Sequence, residues 1–218
     1  MLKTKENQQI VSAYNKLKKL LIPTTEKEIL LKVDEAFKLV SELYKNKQLP
    51  SGKAYALHLC ELALIAVEEL GMGSSTVIAA FLHGSDQKTS LNLQQIQSQF
   101  GVSVALIIEG FNKVSNLQTE RLSYQSDNFR KLFLSLVEDI RVVLLKIAHR
   151  IYDLRNPEDV LPGRMEMYYH EVKHLYIPIA HRLGLYLIKA EFEEKVMRFE
   201  HPDIYLAISE KIAATKAK

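Results

Sequence analysis

The chain has 218 residues, 47% of them hydrophobic and 25% charged, with a formal net charge of +3. That apolar content is enough for a packed core and excludes wholesale disorder. So small a net charge, with Lys and Arg interspersed among Asp and Glu, suits solvated helix faces, and no DNA partner is expected. The single cysteine, Cys60, excludes an intrachain disulfide and favours a cytoplasmic setting. No run approaches the ~18 apolar residues of a membrane span, and the first ten residues have no hydrophobic signal core, so no membrane association is expected.

Ile10, Tyr14, Leu17 and Leu21 form the apolar stripe of a first helix, read as an N-terminal arm over residues 1–24 and set off by Pro23. Ile29, Val33, Phe37, Val40 and Tyr44 mark a second helix. Thr24, Thr25 and the acidic residues that follow offer its cap. Residues 48–52 read as a loop. A helix is expected from about Ala54 to Leu70, stopped by Gly71, and then a short apolar one over 76–83 capped by Ser74 and Ser75. Residues 84–92 read as a polar loop. Short helices follow around 93–100 and 103–114, and 115–126 reads as a polar, mobile connection.

The next segment carries Leu136, Ile140, Val143, Leu144, Ile147, Ile151 and Leu154 on one face and Val142 and Leu145 on another. A helix apolar on more than one side belongs at the centre of its domain. Asn156-Pro157 ends it, Pro162-Gly163 precedes a further helix, and Tyr176-Ile177-Pro178 marks a break before helical patterning resumes. No segment alternates as a strand would. The fold class expected is all-α, as one compact helical domain.

Three histidines stand out in these elements. His58 lies early in its helix, His83 closes the short apolar helix, and His149 lies on the apolar helix with Asp153 four residues on. That spacing puts His149 and Asp153 on one face, where imidazole and carboxylate can share a metal or hydrogen-bond each other. The ordinary reading of each is a core histidine with a satisfied ring nitrogen. Cys60, in the apolar run 57–64, reads as a buried inert thiol. His170-Glu171-Val172-Lys173-His174 is a literal HExxH. It lacks the Gly of the extended form, since Ile177 stands there, and a third ligand would have to come from a residue such as Glu193 or Glu194. Surface or packing histidines are the simpler account. No Gly-rich phosphate loop and no GxSxG elbow is present.

Several segments together resemble the N-terminal HD hydrolase domain of the RelA/SpoT (p)ppGpp synthetase/hydrolase family. Residues 51–58, SGKAYALH, resemble its "SGEPYxxH". Phe81-Leu82-His83-Gly84 resembles "LLHD". Asn128 to Lys131 and Asp139 to Ile151 resemble "NFRK…DIRVxLxKLADRL", and residues 176–184 resemble "YxPLAHRLG". The order holds from about residue 26 to 205. The resemblance implies an HD-domain-like helical bundle. In the family it holds a divalent metal, typically manganese, on two histidines and two aspartates, and removes the 3′ pyrophosphate of (p)ppGpp. His58 and His83 match the histidine ligands. Gly84 replaces the HD aspartate and His149 the later aspartate. Gln87 and Lys88 replace the Glu-Asp pair that works on the attacking water. Leu49 and Pro50 replace a nucleotide-contacting Arg-Lys pair, and Asp153 replaces an asparagine.

Two functional readings follow from the resemblance. The first is a pseudo-hydrolase domain over 25–205, with no catalytic residue and no cofactor. Residues 206–218 would begin a linker, and the domain would regulate a downstream (p)ppGpp synthetase domain, with a guanine nucleotide as a further ligand. The second is a metal-dependent phosphohydrolase with an altered site, in which His58, His83 and His149 hold zinc or manganese and Asp153 or Asp86 adds a carboxylate. A plain helical interaction domain is the third alternative, disfavoured by the joined motifs. Residues 177–212, with Leu185, Tyr186, Phe192, Met197 and Phe199, are expected to provide the contact surface of a regulatory domain.

Overall fold

The computed structural model describes residues 2–83, 92–119 and 139–216. Among them there is no strand, only one isolated antiparallel bridge between Gln48 and Ala54 that closes the loop before the third helix. The fold is all-α, as expected. Two compact units divide the chain, one ending at Val160 and the other beginning at Leu161.

In the first unit, α1 (Leu2–Leu21) packs on α3 (Tyr55–Glu68), and Tyr14, Leu17 and Leu21 are buried. The Tyr14 ring stacks on Phe37 of α2 (Lys27–Leu43) at 3.8 Å, and its hydroxyl donates to Asp34. Glu26, not a threonine, occupies the cap of α2 and makes no side-chain capping bond; the Thr24 hydroxyl turns back to the Leu21 carbonyl instead. The helix α3 is buried nearly all round, and its neighbour α4 (Ser74–Leu82) is buried from Thr76 to Leu82. Between them Gly71 takes φ +64°, a conformation that side chains resist and that ends the helical run.

The helix α5 (Leu93–Phe100) starts with a capping box between Asn92 and Gln95. It packs on α6 (Val102–Thr119), which runs five residues into the stretch expected to be a connection. The Ser115 hydroxyl donates to the Phe111 carbonyl within the helix and accepts from Lys146, so its polarity is satisfied without ending the helix. The apolar segment is α7 (Ile140–Arg155), packed against α3, α4 and α6. Val142, Val143, Leu145, Ile147 and Ile151 are buried and Leu144 is half-buried. Ile140, at the solvent end, is 49% exposed, and Leu136 lies outside the described residues. The α6–α7 contact is close: a Cβ on Gly110 would sit 2.7 Å from Val142 Cγ2.

In the second unit, α8 (Met165–Glu171) does not break before Pro178. It passes through a π-helical turn (Val172–Tyr176) into α9 (Ile177–Arg182). The wider turn lets Ile177 N–H donate to the Val172 carbonyl, and Pro178 falls in the first positions of α9, where its missing N–H costs nothing. The helix α10 (Tyr186–Glu200) buries Ile188, Phe192 and Val196, and α11 (Pro202–Lys216) packs on it. Of the residues expected at a contact surface, Tyr186 and Phe199 are exposed, Leu185 and Met197 half-buried and Phe192 buried. No helix among the described residues is long and apolar enough to cross a membrane.

Candidate metal centre

Three helices of the first unit each bring one histidine to a common point. His58 lies in the first turn of α3, His83 caps the C-terminus of α4, and His149 lies midway along α7. One nitrogen from each falls within 4.8 Å of the others, and among the described residues no other group of three or more such ligands forms. The His149 ring is 5.4 Å from that of His58 and 5.3 Å from that of His83, steeply inclined to both. The Tyr152 ring backs His58 at 4.3 Å, and Phe111 backs His83 at 5.2 Å. His58 and His83 are buried, while the His149 side chain is 28% exposed and forms the open side.

The hydrogen bonds assign protons. His83 Nδ1 lies 2.5 Å from the Ala80 carbonyl oxygen, which can only accept, so Nδ1 donates and the neutral ring keeps its lone pair on Nε2. His149 Nδ1 lies 3.4 Å from Asp153 Oδ2, which also accepts from Arg150 at 2.8 Å. His58 Nδ1 is buried without a hydrogen-bond partner among the described residues. Burial, reinforced by His149, pushes the His83 pKa down to about 3. Burial first, then His149 and His83, holds His58 well below its ordinary value. Both rings are therefore neutral near pH 7, the form that ligates a metal.

A second cluster adjoins the first through Tyr152. Lys53 Nζ lies 2.9 Å from Asp159 Oδ2 and donates to Asn156 Oδ1 at 3.0 Å, Tyr152 Oη at 3.1 Å and Glu61 Oε2 at 3.3 Å. Asp159 also accepts from the Ser51 and Tyr152 hydroxyls. Burial pushes the Asp159 pKa up, but the bonds from Lys53, Ser51 and Tyr152 outweigh it and hold the carboxyl below its usual range. This cage ties the start of α3 to the end of α7 and so fixes the wall behind His58. Sequence reasoning passed over Asp159. It follows Asn156-Pro157 in a short 3-10 turn (Pro157–Asp159), where a helix terminator accounts for every residue.

Gly84, Asp86, Gln87 and Lys88 lie outside the described residues. His170 and His174 stack at 6.2 Å on the second unit without a third ligand among the described residues. Glu193 pairs with Lys189, Glu194 accepts from Tyr205, and Glu171 is buried, so the HExxH does not build a zinc-protease site. Asp153 is not among the converging ligand atoms.

A bundle whose adjoining helices converge on histidines is what an HD domain presents, and the HD domain family model matches residues 36–186. The chain belongs to the HD domain family. Within it, the chain is similar to RelA/SpoT-type proteins. It is 29% identical to the bifunctional (p)ppGpp synthase/hydrolase SpoT of Escherichia coli, over 93% of this chain and 29% of that protein. It is 32% identical to a guanosine-3′,5′-bis(diphosphate) 3′-pyrophosphohydrolase of Aquifex aeolicus, over 79% of this chain and 24% of that one. With the enzyme of that name from Haemophilus influenzae the figure is 36%, over 71% and 23%. The chain thus spans between a fifth and a third of the length of the curated relatives it matches.

The pocket itself tests which ion it fits. Its donors are three imidazoles, and a buried nitrogen of His58 lacks a partner among the described residues. Such a set suits zinc or a similar ion, whereas manganese favours carboxylate oxygen. Two nitrogens bound at ~2.1 Å can be at most ~4.2 Å apart, and three ligand atoms all within 4.8 Å of one another lie close to the span that one ion bridges.

Proposed function

We propose that this chain is the hydrolase-fold domain of a cytoplasmic RelA/SpoT-type alarmone protein that has given up manganese-dependent 3′-pyrophosphohydrolysis of (p)ppGpp. It serves a (p)ppGpp synthetase domain by contact. One observation carries this reading: the three ligand positions gathered in the pocket bear only nitrogen, and the carboxylate beside His149, Asp153, is tied to Arg150 and His149. With Gly84 at the fourth ligand position, both carboxylate ligands of the family pattern are gone. Gln87 and Lys88 cannot act as a carboxylate base, and loss of general base catalysis alone typically costs roughly 10²–10⁴-fold in rate. Exposed apolar residues on α10 and α11, among them Leu187, 89% exposed, and Ile204, Ile208 and Ile212, support a role by contact. The test compares (p)ppGpp synthesis by the full-length protein with and without residues 25–205. Altered synthesis or regulation is expected, and identical behaviour would refute the contact role.

The convergence of three histidines favours a second reading, a phosphohydrolase working with a different ion. His58, His83 and His149 would hold zinc, which would supply Lewis acidity toward a phosphate oxygen. Turnover of (p)ppGpp by the zinc- or cobalt-loaded chain, absent with manganese, would select this reading.

A further inference from the structure

We infer that His149 and Asp153 act as one unit, in which Asp153 does not ligate but holds His149 by its outer nitrogen, so that the pocket selects an imidazole-preferring ion such as zinc or cobalt over manganese. The inference rests on the histidine cluster being a metal site and does not depend on whether hydrolysis survives.

The bonds around the cluster carry the argument. Each ligand histidine in a metal site characteristically donates its other ring N–H to a carboxylate or carbonyl, which fixes the tautomer and makes the inner nitrogen more basic. Two of the three rings here are so placed. His83 donates to the Ala80 carbonyl, and His149 Nδ1 faces Asp153 Oδ2 at 3.4 Å. Arg150 grips the same carboxylate oxygen at 2.8 Å, which fixes the carboxylate one residue beyond the ligand shell. The i,i+4 spacing on α7 puts the pair on one face.

Charge explains why the carboxylate is needed. Lys47 Nζ lies 3.2 Å over the Tyr55 ring, Lys53 Nζ 5.3 Å over Tyr152 and Lys146 Nζ 3.8 Å over Phe111, and these rings pack on His58 and His83, so each lysine makes a cationic neighbour there less favourable. Lys53 is offset by Asp159 and Glu61. Replacing a carboxylate at position 149 by imidazole removes one more negative charge from the ligand shell. Asp153 returns that charge through the ring of His149, a placement that makes the imidazole a stronger donor without offering the oxygen that manganese prefers.

The test titrates zinc, cobalt and manganese into the metal-free full chain by calorimetry, in a His170→Ala/His174→Ala background so that the second histidine pair contributes nothing. One equivalent of zinc or cobalt is expected, with manganese weaker by at least ~10-fold. Asp153→Asn is expected to weaken zinc binding ~10–100-fold, with Asp153→Glu recovering part of it and the cobalt d–d spectrum reporting the ligand change. His149→Asp keeps a ligand but changes its class, and should shift preference toward manganese. An unchanged zinc Kd in Asp153→Asn overturns the pairing, and equal zinc and manganese affinity overturns the selectivity. No binding of any ion by the parent chain overturns the metal-site reading itself. If Asp153→Asn lowers the melting temperature of the metal-free chain too far to titrate, the manganese shift of His149→Asp decides.

Discussion

Two polar clusters share the α3–α7 interface, and they are finished differently. In the Lys53–Asp159 cage every charge has a counter-charge or a hydrogen bond, and the Asp159 side chain is only 2% exposed. In the histidine pocket three imidazole rings crowd together, and a buried nitrogen of His58 goes unmatched among the described residues. A complete buried network rigidifies a fold; an incomplete one needs a reason, such as an ion. Tyr152 belongs to both, since its hydroxyl serves the cage and its ring backs His58.

Breaking each cluster should therefore have opposite consequences. Lys53→Met leaves Asp159 buried without its cation, which typically costs ~3–5 kcal/mol, measurable by urea unfolding. His58→Leu removes a nitrogen that already lacks a partner, and the metal-free chain should change by no more than ~1 kcal/mol, while metal binding is lost. A large loss of stability in the second variant and none in the first would invert the assignment of structural and functional roles. Between them in size lies Gly110→Ala, whose Cβ meets Val142 in the wall that carries His149. Overpacking of this kind costs ~1–3 kcal/mol, and the melting temperature should fall accordingly.

Acid separates the two clusters by pH. His83 is neutral when folded, with a pKa of about 3 against an ordinary 6.5, so the unfolded chain binds the extra proton between those values. Its contribution turns against folding as pH falls below 6.5. The Asp159 pKa is depressed, so its stabilisation is present above the ordinary value of 3.8 and is lost only as pH falls through the lower folded value. Stability measured against pH should thus fall in two stages, and His83→Gln should diminish the first and leave the second. The smallest effect is expected at the exposed Lys16–Glu68 pair, 2.8 Å apart. Lys16→Ala should move stability by under ~1 kcal/mol, a baseline for the other variants.

The periodic elements were legible in the sequence because their signals are local. The apolar run and Gly71 bound α3 to within a residue or two of Tyr55–Glu68, and Asn156-Pro157 places the end of α7. Two misreadings have local causes. Polar Ser115 suggested a loop although its hydroxyl bonds within α6, and Pro178 suggested a break although the π turn accommodates it. The site divides along the same line. His149 and Asp153 were visible as a spacing on one helix. The meeting of His149 with His58 and His83 was expected only from the order of motifs, because no periodicity links α3, α4 and α7. Asp159 was missed because Ser51, its hydrogen-bond donor, lies 108 residues away.

The function proposed for this chain requires that manganese-dependent (p)ppGpp hydrolysis be absent. The most direct test incubates the purified chain with (p)ppGpp and manganese and follows pyrophosphate release. We expect no manganese-dependent release above that of a His58→Ala/His83→Ala control. Turnover near ~1 s⁻¹, the low end of ordinary enzyme rates, lost in that control, would contradict it.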